Sequence, residues 1–178
     1  MRAEDIVSEH EDTDVGILLA FWKAARGNNP FPSQADLDLI SIPKLAPNIF
    51  ILDAEPKDIF RYRYMGTAID SHIGVNLTGR TVDEFRAGRV LSELTTFFKT
   101  VLDTSSMGIL TTQLPSETRG ATIYTRVGLP IADDHQTPNK VLGILLFQLP
   151  DGMNGHRKVP YDIESEEQGI VSTEFGEL

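Results

Sequence analysis

Within Asp58–Met65, aromatic and cationic side chains alternate: Phe60, Tyr62 and Tyr64 occupy one parity, Arg61 and Arg63 the other. Period two is the geometry of a strand, whose successive side chains point to opposite faces. A strand with one aromatic face needs a layer to bury it, so this segment commits the chain to a sheet with at least one covered side. The apolar run Asn48–Asp53 precedes it, and Ala54 to Asp58, containing Pro56, reads as the turn between them. The two runs form a hairpin.

Three further strands follow: Gly108–Leu114, Ala121–Ile131 and Val141–Gln148. The last is the most apolar and is therefore placed at the centre of the sheet. Short connections favour antiparallel pairing. Two long helices are predicted. Asp14–Arg26, with Asp14 as N-cap and Gly27 as stop, carries Val15, Leu18, Leu19 and Trp22 at helical spacing, with Phe21 widening the stripe. Val90–Met107 carries Leu91, Leu94, Phe97, Phe98, Val101 and Leu102 on one face and stops at Gly108. Ser33 caps a short helix ended by Pro43, and Ala68–Ile73 forms irregular helical turns.

The formal charge of −10 is unevenly placed. Residues 1–14 hold six acids against Arg2, residues 151–178 hold seven against Arg157 and Lys158, and the body between them is neutral. Residues 1–13 and 151–178 are expected to be acidic, solvated, mobile tails around one domain over 14–150. Such a charge pattern disfavours nucleic acid, whose phosphates would be repelled. The chain has no cysteine, which excludes disulfides, thiolate metal sites, cysteine nucleophiles and flavin photoadducts that need a thiol. No run reaches the ~20 apolar residues of a membrane span, and the acidic start does not resemble a signal peptide. The expected location is cytoplasmic.

The element order resembles that of a PAS domain. Ile49-Phe-Ile-Leu-Asp53 is similar to the first PAS strand, Arg61-Tyr-Arg-Tyr-Met-Gly-Thr67 to the second, and Leu77-Thr-Gly-Arg-Thr-Val-Asp-Glu-Phe85 to the turn before the long PAS helix. Together with the Phe-Trp-Lys-Ala-Ala-Arg helix, they look like the single-domain PAS family of alphaproteobacteria. The resemblance implies an α+β fold: a five-stranded antiparallel sheet with helices on one face, an added N-terminal helix, and a cavity between sheet and helices. It further implies a stand-alone sensory or regulatory module, not an enzyme, that binds a small molecule, a signalling protein partner, or both.

Tyr64, Ile69, His72, Ile73, Phe98 and Tyr124 are the expected cavity-wall residues, with Tyr64 and Tyr124 as anchors for a polar ligand end. Asp70 and His72 could act as a carboxylate–imidazole pair, but two residues apart they diverge on a helix and share a side only on an extended segment. Arg61 and Arg63 belong either to a solvated outer face, near Asp53 or Glu55, or to a docking surface. The stripe Val15, Leu18, Leu19, Phe21 and Trp22 is expected to build a homodimer; folding back onto its own domain is the alternative. The second function considered is a small enzyme or carrier of the cone-shaped α+β hydratase and isomerase type, which would need ionisable groups converging in the cavity.

No metal and no cofactor are expected. Haem-binding PAS members use an axial histidine, often on the long helix, and residues 90–107 contain none. Purified protein should therefore show neither a flavin nor a Soret band in its absorption spectrum, and either band would overturn the expectation.

Overall fold

The computed structural model describes residues 2–5, 13–115, 121–148 and 170–178. The helices are α1 (Thr13–Arg26), α2 (Thr67–Ile73) and α3 (Gly88–Asp103). The strands are β1 (Ile49–Glu55), β2 (Ile59–Met65), β3 (Ser106–Pro115), β4 (Ala121–Ile131), β5 (Lys140–Gln148) and β6 (Ile170–Glu177). They form one antiparallel sheet in the order β2-β1-β5-β4-β3-β6. The expected α+β class and the central place of β5 hold.

Four expectations are corrected. The sheet has six strands, not five, because Ile170–Glu177 hydrogen-bonds to the edge of β3 that would otherwise stay open. The C-terminal tail is therefore not uniformly solvated: its Phe175 ring packs 5.9 Å from that of Phe97. At the other end Ala3 is fully buried, Lys23 pairs with Glu4, and Arg2 bridges to Glu177. The intervening tail residues lie outside those described. Finally, the long helix stops at Asp103 rather than Met107. Ser105 turns at a φ of 52°, and Met107 enters β3 as a buried residue.

The sheet is apolar on both sides, and each side has its own core. On one face α1 and the 3-10 turns after it lie over Ile49, Ile51, Ile109, Val127, Leu142 and Ile144. On the other, α2 and α3 lie over Phe50, Leu52, Tyr62, Leu110, Tyr124 and Leu145. Helices thus flank both faces, because the central strands carry apolar residues at both parities and leave two surfaces to remove from water. Close approach is built in at Gly143, where a Cβ would stand 2.2 Å from the Phe50 ring and 2.3 Å from the Val127 carbonyl oxygen. The ring of Phe50 fills the space that a side chain at 143 would have taken.

The α1 stripe finds its partner at home. Val15, Leu18, Leu19, Phe21 and Trp22 are all buried within the chain, and the Trp22 indole N–H donates to the Pro130 carbonyl at 2.7 Å. The interface expected between two copies is in fact the contact between α1 and its own sheet, the alternative considered for it. Nothing apolar on that stripe is left for a twin helix.

This placement changes the outcome of a charged substitution. Removing a buried Leu costs about 2–5 kcal/mol, and a buried unpaired charge adds more. Leu18→Glu should unfold the domain, seen as loss of far-ultraviolet dichroism and of the cooperative thermal transition. A folded variant of normal melting temperature would show that α1 is not part of the core.

Candidate functional site

A β-bulge decides which tyrosines meet the α2–α3 side. Leu52 pairs with Tyr62 while Ile51 pairs with Tyr64, so Arg63 is an extra residue in β2. One inserted residue reverses the parity of everything beyond it. Phe60 and Tyr62 face α3, whereas Tyr64 turns to the α1 side and Met65 takes the inward place. Tyr64 is thus corrected: it packs against the α1 core and cannot line a site under α2 and α3. Strict alternation through Tyr64 is what fails.

The arginines on β2 make ion pairs. Arg61 meets Glu55 at 2.5 Å and Arg63 meets Asp53 at 2.5 Å. Asp53 also meets Lys140 at 3.3 Å, and Lys140 reaches Asp133 at 3.1 Å. Asp53 and Glu55 are the neighbours foreseen for a solvated face; the Arg61–Glu55 pair is half-exposed and contributes little to stability, whereas Asp53 and Lys140 are largely buried.

The other candidate residues gather on the α3 side. α2 begins at Gly66, pressed against Pro47, and ends at Gly74, whose φ of 80° favours glycine. Within it Ile69, His72 and Ile73 follow the helical spacing that shares one side, and all three join the inner layer. Phe98 lies deep in an aromatic group with Phe50, Phe60 and Phe97 at centroid distances of 6.0, 5.4 and 5.4 Å.

His72 and Tyr124 meet directly. The His72 Nε2 and the Tyr124 hydroxyl are 3.0 Å apart in a buried hydrogen bond, and the imidazole stacks on Phe147 at 3.9 Å and 13°. Burial depresses the His72 pKa below its ordinary value, so the ring is neutral at pH 7. Asp70 does not join them. Two residues away on a helix it points elsewhere, and its carboxyl is held above the usual carboxylate range by burial, opposed by a hydrogen bond from the Leu77 backbone. One carboxylate oxygen of Asp70 is buried without a hydrogen-bond partner. The helical geometry therefore breaks the general-base pair that an extended segment would have formed.

Sequence reasoning missed the polar half of this site. Thr112, Thr122 and Arg126 are buried beside Tyr124; in β4, Thr122, Tyr124 and Arg126 share one parity. The Arg126 Nη1 donates to the Thr112 hydroxyl at 3.4 Å, and its guanidinium carbon lies 5.7 Å from the Tyr124 ring centroid. The available signal was the i, i+2 spacing of Tyr124 and Arg126 in a strand already recognised. Phe147 was legible in the same way, as the β5 residue opposite Tyr124. Among the described residues no group of three or more His, Asp or Glu could hold a metal, and no helix is long and apolar enough to cross a membrane.

Sheet and flanking helices make an α+β domain of PAS-like class. A family model described as PAS domain matches residues 12–146, and the chain belongs to that family. Among solved structures it is similar to VqmA bound to DPO, with 16% identity and a TM-score of 0.48, over 61% of this chain and 56% of that one. It is similar also to a light-oxygen-voltage domain studied with a flavin analogue, at 13% identity and a TM-score of 0.47, over 64% and 85% of the two chains. A third is VqmA from Vibrio cholera in a complex with ligand and DNA, at 15% identity and a TM-score of 0.46, over 61% and 49%. The match thus spans little more than half of the VqmA chain in the first case and about half in the third. No curated protein matches the sequence.

The depressed His72 pKa sets a pH dependence. As pH falls below 6.5, the unfolded chain takes up a proton at residue 72 before the folded chain does. The stability held by neutral His72 is full above 6.5 and is lost progressively as pH falls toward the depressed value. Urea midpoints at pH 7.5 and 5.5 should differ more for the wild type than for His72→Gln, which has no proton to gain. Equal pH dependence in the two proteins would contradict the assignment.

Proposed function

We propose that this chain is a sensory and regulatory PAS module that takes a small molecule on the α3 side of its sheet, at the His72–Tyr124 pair, and passes its state to a protein partner. The observation that carries the reading is the buried hydrogen bond between that pair, set in a layer built mainly of aromatic and aliphatic side chains. Polar groups in such a layer are costly unless they are bonded. A few polar groups amid apolar and aromatic ones is the usual chemistry of a small-molecule site. Ile69, Ile73 and Phe98 supply the apolar surroundings in this reading.

The enzyme alternative needs acid and base to converge, and the separation of Asp70 from His72 argues against it. Native mass spectrometry of freshly purified wild type should show a small-molecule adduct that denaturation releases. Tyr124→Phe and His72→Leu should each lower its occupancy at least several-fold while the protein stays folded. An adduct equally occupied in both variants, or the bare chain mass alone from the wild type, would overturn the proposal.

A further inference from the structure

The sixth strand is held to the sheet along one side. β6 pairs with β3 from Ser106↔Glu177 to Gln113↔Ile170; on its other edge, among the described residues, only Arg2 forms a bridge, to Glu177. Ser172, Thr173 and Glu177 are exposed. The aromatic anchor of β6 is Phe175, whose ring lies over Gly108: a Cβ there would stand 2.9 Å from Phe175 and 2.7 Å from Phe97. The edge that receives β6 is thus a ten-residue strand with a notch for one aromatic ring. The tether to it is long. Gln148 pairs with Ile123, Ile123 with Gln113 and Gln113 with Ile170. The end of β5 and the start of β6 therefore stand on one rung, about 14 Å apart at ~4.8 Å per strand spacing. Residues 149–169 join them, a length of chain that can extend to roughly 70 Å.

We propose that β6 is an exchangeable strand and that the β3 edge is an interaction surface between two copies of this chain, β6 of each lying on β3 of the other. The inference does not rest on the small-molecule reading above. The occupant that fits this edge is already seen seated on it. A second copy brings the same ladder to Ser106–Gln113 and the same ring to the Gly108 notch, so exchange gives up no contact between the two strands. A tether several times longer than the gap it spans lets the strand reach a neighbour without strain. Release costs little of the core, because β6 is the last strand in the sheet order and the helices cover the strands inside it. Such an edge element opens at a lower free energy than the whole domain. What opposes exchange is proximity alone: a strand on a tether of this length meets its own edge at an effective concentration on the order of 1 mM. Two copies therefore exchange when the protein reaches a comparable concentration.

The chain has no cysteine of its own, so introduced thiols report on this pairing directly. Thr111 and Ser172 are opposed across β3 and β6, and directly opposed residues of antiparallel strands stand within the reach of a disulfide. Full-length Thr111→Cys and Ser172→Cys chains, mixed at about 1 mM in a glutathione redox buffer, should form a disulfide-linked heterodimer. Its yield should be several-fold that of the dimers either variant forms alone, and should rise with concentration. The double variant Thr111→Cys/Ser172→Cys at about 10 μM, far below the effective concentration of the tethered strand, should instead close within one chain. If either single variant does not fold, by dichroism, Ser106→Cys with Glu177→Cys reads the same juxtaposition at the other end of the ladder. A mixed yield no greater than that of the single variants alone would overturn the exchange. Failure of the double variant to close within its own chain would overturn it as well, since β6 would then not occupy the β3 edge.

Discussion

The structure depends on a sheet whose central strands are apolar at both parities. In β5, Val141, Leu142, Ile144 and Leu145 are all buried, although neighbours in a strand face opposite ways. No single layer of helices can satisfy such a strand. α1 and its following turns must cover one side and α2 with α3 the other, and the chain is wound to deliver them there. The Trp22 to Pro130 hydrogen bond, joining residues 108 apart in sequence, fixes the first of these layers to the second half of the sheet. Burial on the α1 side thus holds the platform on which the α2 and α3 side is assembled.

On that second side, small backbone devices decide which chemistry is presented. The extra residue at Arg63 removes Tyr64 from the inner layer and leaves Tyr62 and Met65 in it. Gly143 lets the Phe50 ring approach the sheet closely, and Gly74 ends α2 one residue beyond Ile73. A helix of this length presents Ile69, His72 and Ile73 to the sheet and directs Asp70 toward Leu77. The polar group there is therefore an imidazole–phenol pair beside a guanidinium rather than a carboxylate–imidazole pair.

Most of the fold was legible because its signals are periodic. The two-residue rhythm of β4, the apolar run of β5 and the broad stripe of α3 each survive in the structure within a few residues. Three features were not legible, for separate physical reasons. A bulge has no signature when the inserted residue is itself an arginine in an alternating run, so Tyr64 was placed on the wrong face. An amphipathic stripe such as Val15–Trp22 declares that it must be buried but not against what. β6 carries Glu174 and Glu177, so its composition resembled the acidic tail around it, and only the open edge of β3 explains its pairing. Tyr124 was singled out from the cost of burying a phenol hydroxyl and His72 as the histidine of the irregular helical turns, and the structure puts the two in contact. Arg126 was overlooked because an arginine in a strand is ordinarily read as outward-facing.

The bridge between Arg2 and Glu177 brings residues from the two extremes of the described chain side by side at one rim of the sheet. Residues 2 and 177 are thus neighbours in space although 175 apart in sequence. A short peptide splice across that rim would have almost no distance to span, so the order in which the elements are strung could be rotated without redrawing their arrangement. Strain applied to one extremity would be felt first by β6, the outermost rung of the ladder, and the polar group on β4 lies only two rungs further in.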